Sequence, residues 1–264
     1  MTDQRLSVAE IYDRLHRAQR RSATLKRVWL LASGEDYPEA FDHLSFITLA
    51  ELHQVVAELR LRPGQTLVDF ACGTGGPGLW LAREAAVGLI GIDVSATAIA
   101  EARDRAVMLT LHDRADYRQA SFEETRLPPA SVDGAFSVDA LVYAGDISAA
   151  TREIARILRP GRRFVGTTFE VDVKVAATLG VAVNSDLADY RPVFEASGFD
   201  IVTYEETPDW AGRVRRTYQA LLSERDRLIA DTDPTALKVL VAELARGAED
   251  KLMRRRVLIT AERR

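Results

Sequence analysis

A short apolar run, Leu67-Val68-Asp69-Phe70, ends in a segment that carries four glycines within six residues: Gly73, Gly75, Gly76 and Gly78. No other feature constrains this chain as strongly. Apolar residues bounded by glycine read as a buried strand. Glycines directly after it let the main chain turn through positive φ and bring N–H groups against a ligand where side chains would collide. A second apolar run closes on Asp93, and an acid at a strand end can accept hydrogen bonds from ribose hydroxyls. The two features together imply a nucleoside-bearing ligand.

Two cofactor types compete for that loop. Gly73, Gly75 and Gly78 match the Gly-x-Gly-x-x-Gly spacing of a dinucleotide fingerprint, with an acid at about the right distance. In that arrangement the first glycine follows the strand almost at once, and the turn delivers a pyrophosphate to a helix N-terminus. Here Asp69 comes first. Its carboxylate repels a pyrophosphate but attracts the ammonium or sulfonium of a cationic cofactor.

Asp69-x-x-Cys72-Gly73-Thr74-Gly75 resembles the first motif of class I S-adenosylmethionine-dependent methyltransferases, and Gly91-Ile92-Asp93-Val94-Ser95 resembles the second. The likeness covers roughly residues 60–170. Ala120-Ser121-Phe122 lies where these enzymes place the adenine-contacting turn. The run from Ser131 to Leu141 looks like their fourth strand and its cofactor-facing end, and Glu153 to Gly161 resembles the helix and turn before the fifth. The closest likeness is to small-molecule methyltransferases of the bacterial natural-product and quinone type.

The resemblance implies an α/β fold: a Rossmann-like, seven-stranded, mostly parallel sheet with an antiparallel last strand, helices on both faces and a small helical cap. It implies S-adenosyl-L-methionine as cofactor, held by Asp69, Ala71, Gly73, Thr74, Gly75, Asp93, Val94, Ser121, Phe122 and Val138. Four positions depart from the family pattern. Ala71 stands where a glycine is common, which is mild if φ stays negative. Ser121 replaces an acid, Arg162 follows Pro160-Gly161 where a second glycine is common, and Tyr143 lies near a position often held by histidine. These departures keep open a cofactor-binding protein that does not methylate, with a nicotinamide-dependent oxidoreductase as a third reading.

The order of elements agrees with that fold. Apolar periodicity predicts helices over Val8–Leu15 and Phe46–Leu59, and then strands and helices alternate: Thr66–Phe70, Gly88–Asp93, Ala96–Met108, Asp116–Ser121, Val132–Val138, Ile147–Leu158 and Phe164–Phe169. Such alternation implies a parallel sheet covered on both faces. Asp200–Glu205 reads as a strand, Trp210–Ala230 and Pro234–Leu252 as helices, and Arg256–Ala261 as a final strand. One methyltransferase domain is expected, with residues 1–60 as an N-terminal helical cap, 61–170 as the cofactor-binding core and 171–264 completing the core and cap.

Composition bounds the function. A formal charge of −4 over 264 residues argues against a nucleic-acid binder, which needs clustered cations to neutralise phosphates. Arg254-Arg255-Arg256 reads as a solvated helix end set against the helix dipole. Cys72 is the only cysteine, so no internal disulfide forms, which suits a reducing cytoplasm. It reads as a small residue beside the ligand rather than a nucleophile. No apolar run reaches the ~20 residues that span a bilayer, and the scattered His16, His43, His53 and His112 form no metal-ligand pattern. A small-molecule acceptor is the expected partner, with no membrane and no metal.

Methyl transfer is an in-line displacement, so the acceptor side mainly needs positioning and shelter from water. Asp139 and Tyr143, after the fourth strand, are candidates for positioning or deprotonating the acceptor. His43 is a third, since neutral imidazole suits general-base work near pH 7. Tyr37, Phe41, Phe46 and Trp80 are candidate apolar walls, and Glu170 and Asp172 candidate contacts for a cationic or hydroxylated acceptor.

Overall fold

The computed structural model describes residues 8–33, 44–178, 185–248 and 251–264. Tyr37, Phe41 and His43 lie outside the described residues. Seven strands form one sheet: β1 (Thr66–Phe70), β2 (Gly88–Asp93), β3 (Ala115–Gln119), β4 (Val132–Val138), β5 (Leu158–Val171), β6 (Phe199–Glu206) and β7 (Met253–Arg263). Their order is β3-β2-β1-β4-β5-β7-β6. β1 to β5 pair in parallel, and β7 inserts antiparallel between β5 and β6. The expected Rossmann-like sheet with an antiparallel last strand is what forms.

Local chemistry sets the helices that frame the sheet. α3 (Leu49–Leu59) starts in a capping box, Thr48 accepting from the Glu51 N–H while the Glu51 carboxylate accepts from the Thr48 N–H, and ends at Arg60 in the left-handed region. α4 (Gly76–Glu84) follows the glycine loop with Pro77 in its first turn. α5 (Ala96–Met108) is capped by Ser95, and α6 (Ile147–Ile157) by Asp146. β1 is buried along nearly its whole length, as a central parallel strand must be.

The cap is richer in helices than the sequence implies. α1 runs the whole way from Val8 to Arg21, and α2 (Ala23–Ser33) follows it. Beyond α7 (Val173–Thr178) and α8 (Arg191–Ala196), the long helix expected over Trp210–Ala230 is two, α9 (Trp210–Ser223) and α10 (Arg225–Asp231). They break at Glu224, whose carboxylate is taken by Arg27 of α2 and by Arg227. α11 (Pro234–Ala248) completes the set. Leu25, Val28, Trp29, Val214, Leu221, Leu237, Leu240 and Leu244 from these helices form a separate apolar cluster that reaches the sheet through Phe169.

Arg254-Arg255-Arg256 corrects the sequence reading. The run lies in β7, not at a helix end. Arg254 and Arg255 pair with the fully buried Glu170, and Arg256, itself fully buried, pairs with Glu51 and Asp139. Among the described residues no helix is long and apolar enough to cross a membrane.

Candidate active site

The carboxyl ends of β1, β2 and β4 converge on one cavity of about 690 Å³. After Phe70 the chain turns sharply. Ala71, Gly73 and Gly75 all have positive φ, at 54°, 52° and 81°. The condition under which Ala71 would be a mild departure, a negative φ, is not met: a side chain sits in the left-handed region that glycine prefers, at a cost of about 1–3 kcal/mol. Cys72 N–H donates to the Ile92 carbonyl at 2.9 Å and Gly75 N–H to the Cys72 carbonyl at 2.9 Å, which ties the loop to the neighbouring strand and closes its turn.

Asp93 is positioned from both sides of that loop. One oxygen accepts from Gly73 N–H at 2.9 Å and the other from Ser95 N–H at 2.8 Å. Ser95, not Asp93, supplies the helix cap, accepting from Ala98 N–H. The Asp93 carboxylate still lines the cavity, with lone pairs left over for a ribose diol.

Asp69 is the least satisfied group in the site. It is buried, and its Oδ2 has no hydrogen-bond partner among the described residues. Burial, and after it the Asp93 carboxylate, push its carboxyl well above the usual carboxylate range. Its Oδ2 packs against Gly78, where a Cβ would collide with it. A buried carboxylate without a partner costs free energy until a cation arrives. The ammonium at the amino-acid end of S-adenosylmethionine fits this need, and a pyrophosphate does not.

Of the ten expected cofactor residues, Asp69, Ala71, Gly73, Thr74, Asp93, Val94, Ser121, Phe122 and Val138 line the cavity; Gly75 does not. A Cβ on Gly75 would come within 2.7 Å of the Tyr117 hydroxyl, so this glycine serves the turn and its packing. Phe122 stacks on Phe70 at 5.5 Å with rings nearly parallel, so it is both wall and core. Cys72 is buried, and burial raises its thiol well above the ordinary range, which leaves it a poor nucleophile.

The acceptor-side expectations fare less evenly. Tyr143 lines the cavity and meets Tyr12 edge-on at 5.4 Å. Asp139 also lines it, but both its oxygens are engaged: Arg256 donates to Oδ1 at 2.7 Å, and Phe46 N–H donates to Oδ2 at 2.9 Å. A carboxylate so held is a poor base for an acceptor. Trp80 is off the cavity and packs against His53 at 5.0 Å. Glu170 is spent on Arg254, Arg255 and the Tyr204 hydroxyl, and Asp172 accepts from Lys174 and Val175 N–H groups at the start of α7. Phe46 does form a wall, edge-on to Phe169 at 5.9 Å.

Sequence reasoning missed one face of α1. Tyr12, Leu15, His16 and Gln19 all line the cavity, and their spacing of three and four residues is that of a single helical face, a signal present in the sequence. His16 is buried beside Gly73, with a 3.4 Å contact from Nδ1 to Gln19. Burial lowers its pKa, with the Asp93 carboxylate opposing the shift, so the ring is neutral near pH 7. α1 is held over the site by Asp13, which accepts from the Ser95 hydroxyl and the Thr97 N–H at the start of α5. Among the described residues no cluster of His, Cys, Asp and Glu could hold a metal ion.

A parallel sheet with a nucleoside-type loop, a buried acid beneath it and a second acid beside it suits a cationic nucleoside. Comparisons with known proteins agree. A methyltransferase domain family matches residues 68–166. The chain is 29% identical over 203 residues to Methyltransferase GfsG of Streptomyces halstedii, covering 73% of this chain and 72% of that one. It is 30% identical over 175 residues to 27-O-demethylrifamycin SV methyltransferase of Amycolatopsis mediterranei, covering 60% of this chain and 64% of that one, just under two thirds of the relative's length. The crystal structure of the [4+2]-cyclase SpnF shares the fold, with a TM-score of 0.73, 22% identity and coverage of 97% and 95%. Residues 68–166 thus match a methyltransferase domain, the two relatives are methyltransferases by name, and the solved structure shares the fold.

Proposed function

We propose that this enzyme transfers a methyl group to an oxygen of a small metabolite, in a site whose cofactor end is built on Asp69 and Asp93. The observation that carries the reading is the buried Asp69, whose Oδ2 has no hydrogen-bond partner among the described residues, on the wall of the same cavity as Tyr143 and Phe46. Oxygen as the acceptor atom is supported by relatives whose names specify it, the 27-O-demethylrifamycin SV methyltransferase and the O-methyltransferase of Pyrenophora dematioidea, against nitrogen in the names of two phosphoethanolamine N-methyltransferases. The match to the Pyrenophora dematioidea protein spans 41% of that relative's length.

When bound, the cofactor supplies an electrophilic methyl on a sulfonium. Asp69 neutralises the ammonium, and Asp93 accepts from the ribose, its own position fixed by Gly73 and Ser95. Ser121, Phe122 and Val138 border the adenine. Ala71, Thr74 and Val94 complete the wall, and Gly75 shapes the turn. α1 covers the site and excludes water, which would otherwise compete with the acceptor. Tyr143 hydrogen-bonds the acceptor oxygen, and neutral His16 takes its proton. Asp139 positions Phe46 rather than acting as the base.

We further infer a single methyltransferase domain working in the cytoplasm without nucleic acid. Two observations support this: the lone cysteine is buried, and the one basic run is consumed by internal acids. Incubation with methyl-labelled S-adenosylmethionine and hydroxylated small molecules tests the reaction. Label transfer to an oxygen that fails in Asp69→Asn supports it, and transfer that survives this change undisturbed contradicts it.

A further inference from the structure

Resting on the methyltransferase reading, we propose that the acceptor is an uncharged, largely apolar molecule bearing a hydroxyl, selected by a chamber that has no place for a phosphate, carboxylate or ammonium. The half of the cavity away from the glycine loop is walled by Trp29, Phe46, Phe169, Leu240, Leu244 and Met253. These come from α2, the segment before α3, β5, α11 and β7, so cap and sheet both present hydrocarbon to the same space.

Charge is distributed in a way that makes this selection sharp. None of the described residues lining the cavity is Lys or Arg. Two guanidinium groups lie behind the wall, and both are already matched. Arg256 is fully buried, with 2.9 Å bonds to both Glu51 oxygens and a 2.7 Å bond to Asp139. Arg213 donates from its two terminal nitrogens to Glu51 at 2.6 Å and to the Pro208 carbonyl at 2.6 Å, while its buried Nε has no partner among the described residues. Neither has charge to spare for an anionic acceptor, and withdrawing either from its acids would strand a buried charge.

A cation fares no better. Among the described residues the acids on the cavity are Asp69, Asp93, Glu123, Asp139 and Asp146. Asp69 and Asp93 sit at the cofactor end. Asp139 is balanced by Arg256. Glu123 accepts from the Gly145 and Asp146 N–H groups, and Asp146 caps α6 by accepting from Ala149 N–H. The aromatic rings of this wall pack on one another, Phe46 edge-on to Phe169 at 5.9 Å and Trp29 tilted against Phe46 at 6.4 Å. Among the described residues, what remains for an acceptor is apolar contact plus the polar groups of Tyr12, His16, Gln19, Ser45 and Tyr143.

Competition on the whole protein loaded with S-adenosylhomocysteine tests this. Nile red, a neutral apolar dye, is bound first and then displaced by 2-naphthol, 2-naphthyl phosphate or 2-naphthylmethylamine, one ring system in three charge states. The expected result is displacement by 2-naphthol at concentrations about tenfold or more below those needed for either charged form, since an unmatched charge resists transfer into an apolar wall. Displacement by the phosphate or the amine at equal or lower concentration overturns the proposal, and so does failure of the loaded protein to bind Nile red. Calorimetric binding of S-adenosylhomocysteine on the same sample separates the two levels. Its absence would overturn the methyltransferase reading, whereas its presence with a charged-probe preference would overturn only the acceptor class. In a second arm, Leu240→Lys, with its fold checked by thermal unfolding, is expected to move the preference toward the phosphate. An unchanged preference in the folded variant also counts against the chamber.

Discussion

Asp139 and Arg256, 117 residues apart in sequence, share two hydrogen bonds of 2.7 and 3.3 Å in the interior. Arg256 also donates to Glu51 and to the Thr207 hydroxyl, and Asp139 accepts from Phe46 N–H. This one cluster joins β7, the end of β4, α3 and the segment that carries the Phe46 wall. Asp139 keeps a φ of 54° there, a conformation that persists only where its surroundings hold it.

Arg256→Met is expected to destabilise the protein by about 3–5 kcal/mol, because it leaves Asp139 buried without its cation. Urea unfolding measures it. A loss within ±0.5 kcal/mol, the range of ordinary surface changes, would show that the cluster contributes little.

Tyr117 packs across Gly91, and its hydroxyl is buried without a hydrogen-bond partner. Removing an unsatisfied polar atom is neutral or favourable, so Tyr117→Phe should keep or raise the melting temperature. Gly91→Ala should lower stability by about 1–3 kcal/mol, because its Cβ would drive into the Tyr117 ring. A pair of thermal melts decides both.

The raised pKa of Asp69 makes cofactor binding proton-linked. In the ligand-free protein burial, and secondarily Asp93, favour the neutral carboxyl. A bound ammonium favours the charged form, so binding releases up to about one proton and affinity rises with pH through the raised pKa. Calorimetry in buffers of different ionisation heat should show this release with S-adenosylmethionine. Asp69→Asn should abolish the buffer dependence and weaken binding, and a wild-type enthalpy independent of buffer would contradict the assignment.

His16→Gln preserves a polar side chain on α1 but removes the proton acceptor. It is expected to lower kcat about 10²–10⁴-fold, with a smaller effect on acceptor KM. A variant with normal kcat would remove His16 from proton transfer and return the question to Tyr143 and His43.

The core was legible because its constraints are local. Asp69, the glycines and Asp93 sit within a few residues of the turns they create, and the strand and helix bounds of the parallel half follow from short apolar runs. Long-range partners were not legible. Arg256 reads as one of three surface arginines until β7 brings it to Glu51, 205 residues away, and nothing beside Asp139 in sequence announces the arginine that occupies it. The cap was partly hidden for the same reason: Trp29, Val214 and Leu240 bury against one another, and no single segment shows it. The α1 face of Tyr12, Leu15, His16 and Gln19 was present as a periodic stripe that also suits ordinary core packing.

The central claim is that Asp69 and Asp93 hold the two polar ends of S-adenosylmethionine. Calorimetric titration of the wild type and Asp93→Ala with S-adenosylmethionine, S-adenosylhomocysteine and a nicotinamide dinucleotide tests it most directly. Saturable binding of the sulfur nucleosides alone is expected, weakened by about 1–3 kcal/mol in the folded variant through lost charge-assisted bonds. Binding of the dinucleotide alone, or equal affinity of wild type and variant for S-adenosylmethionine, would contradict it.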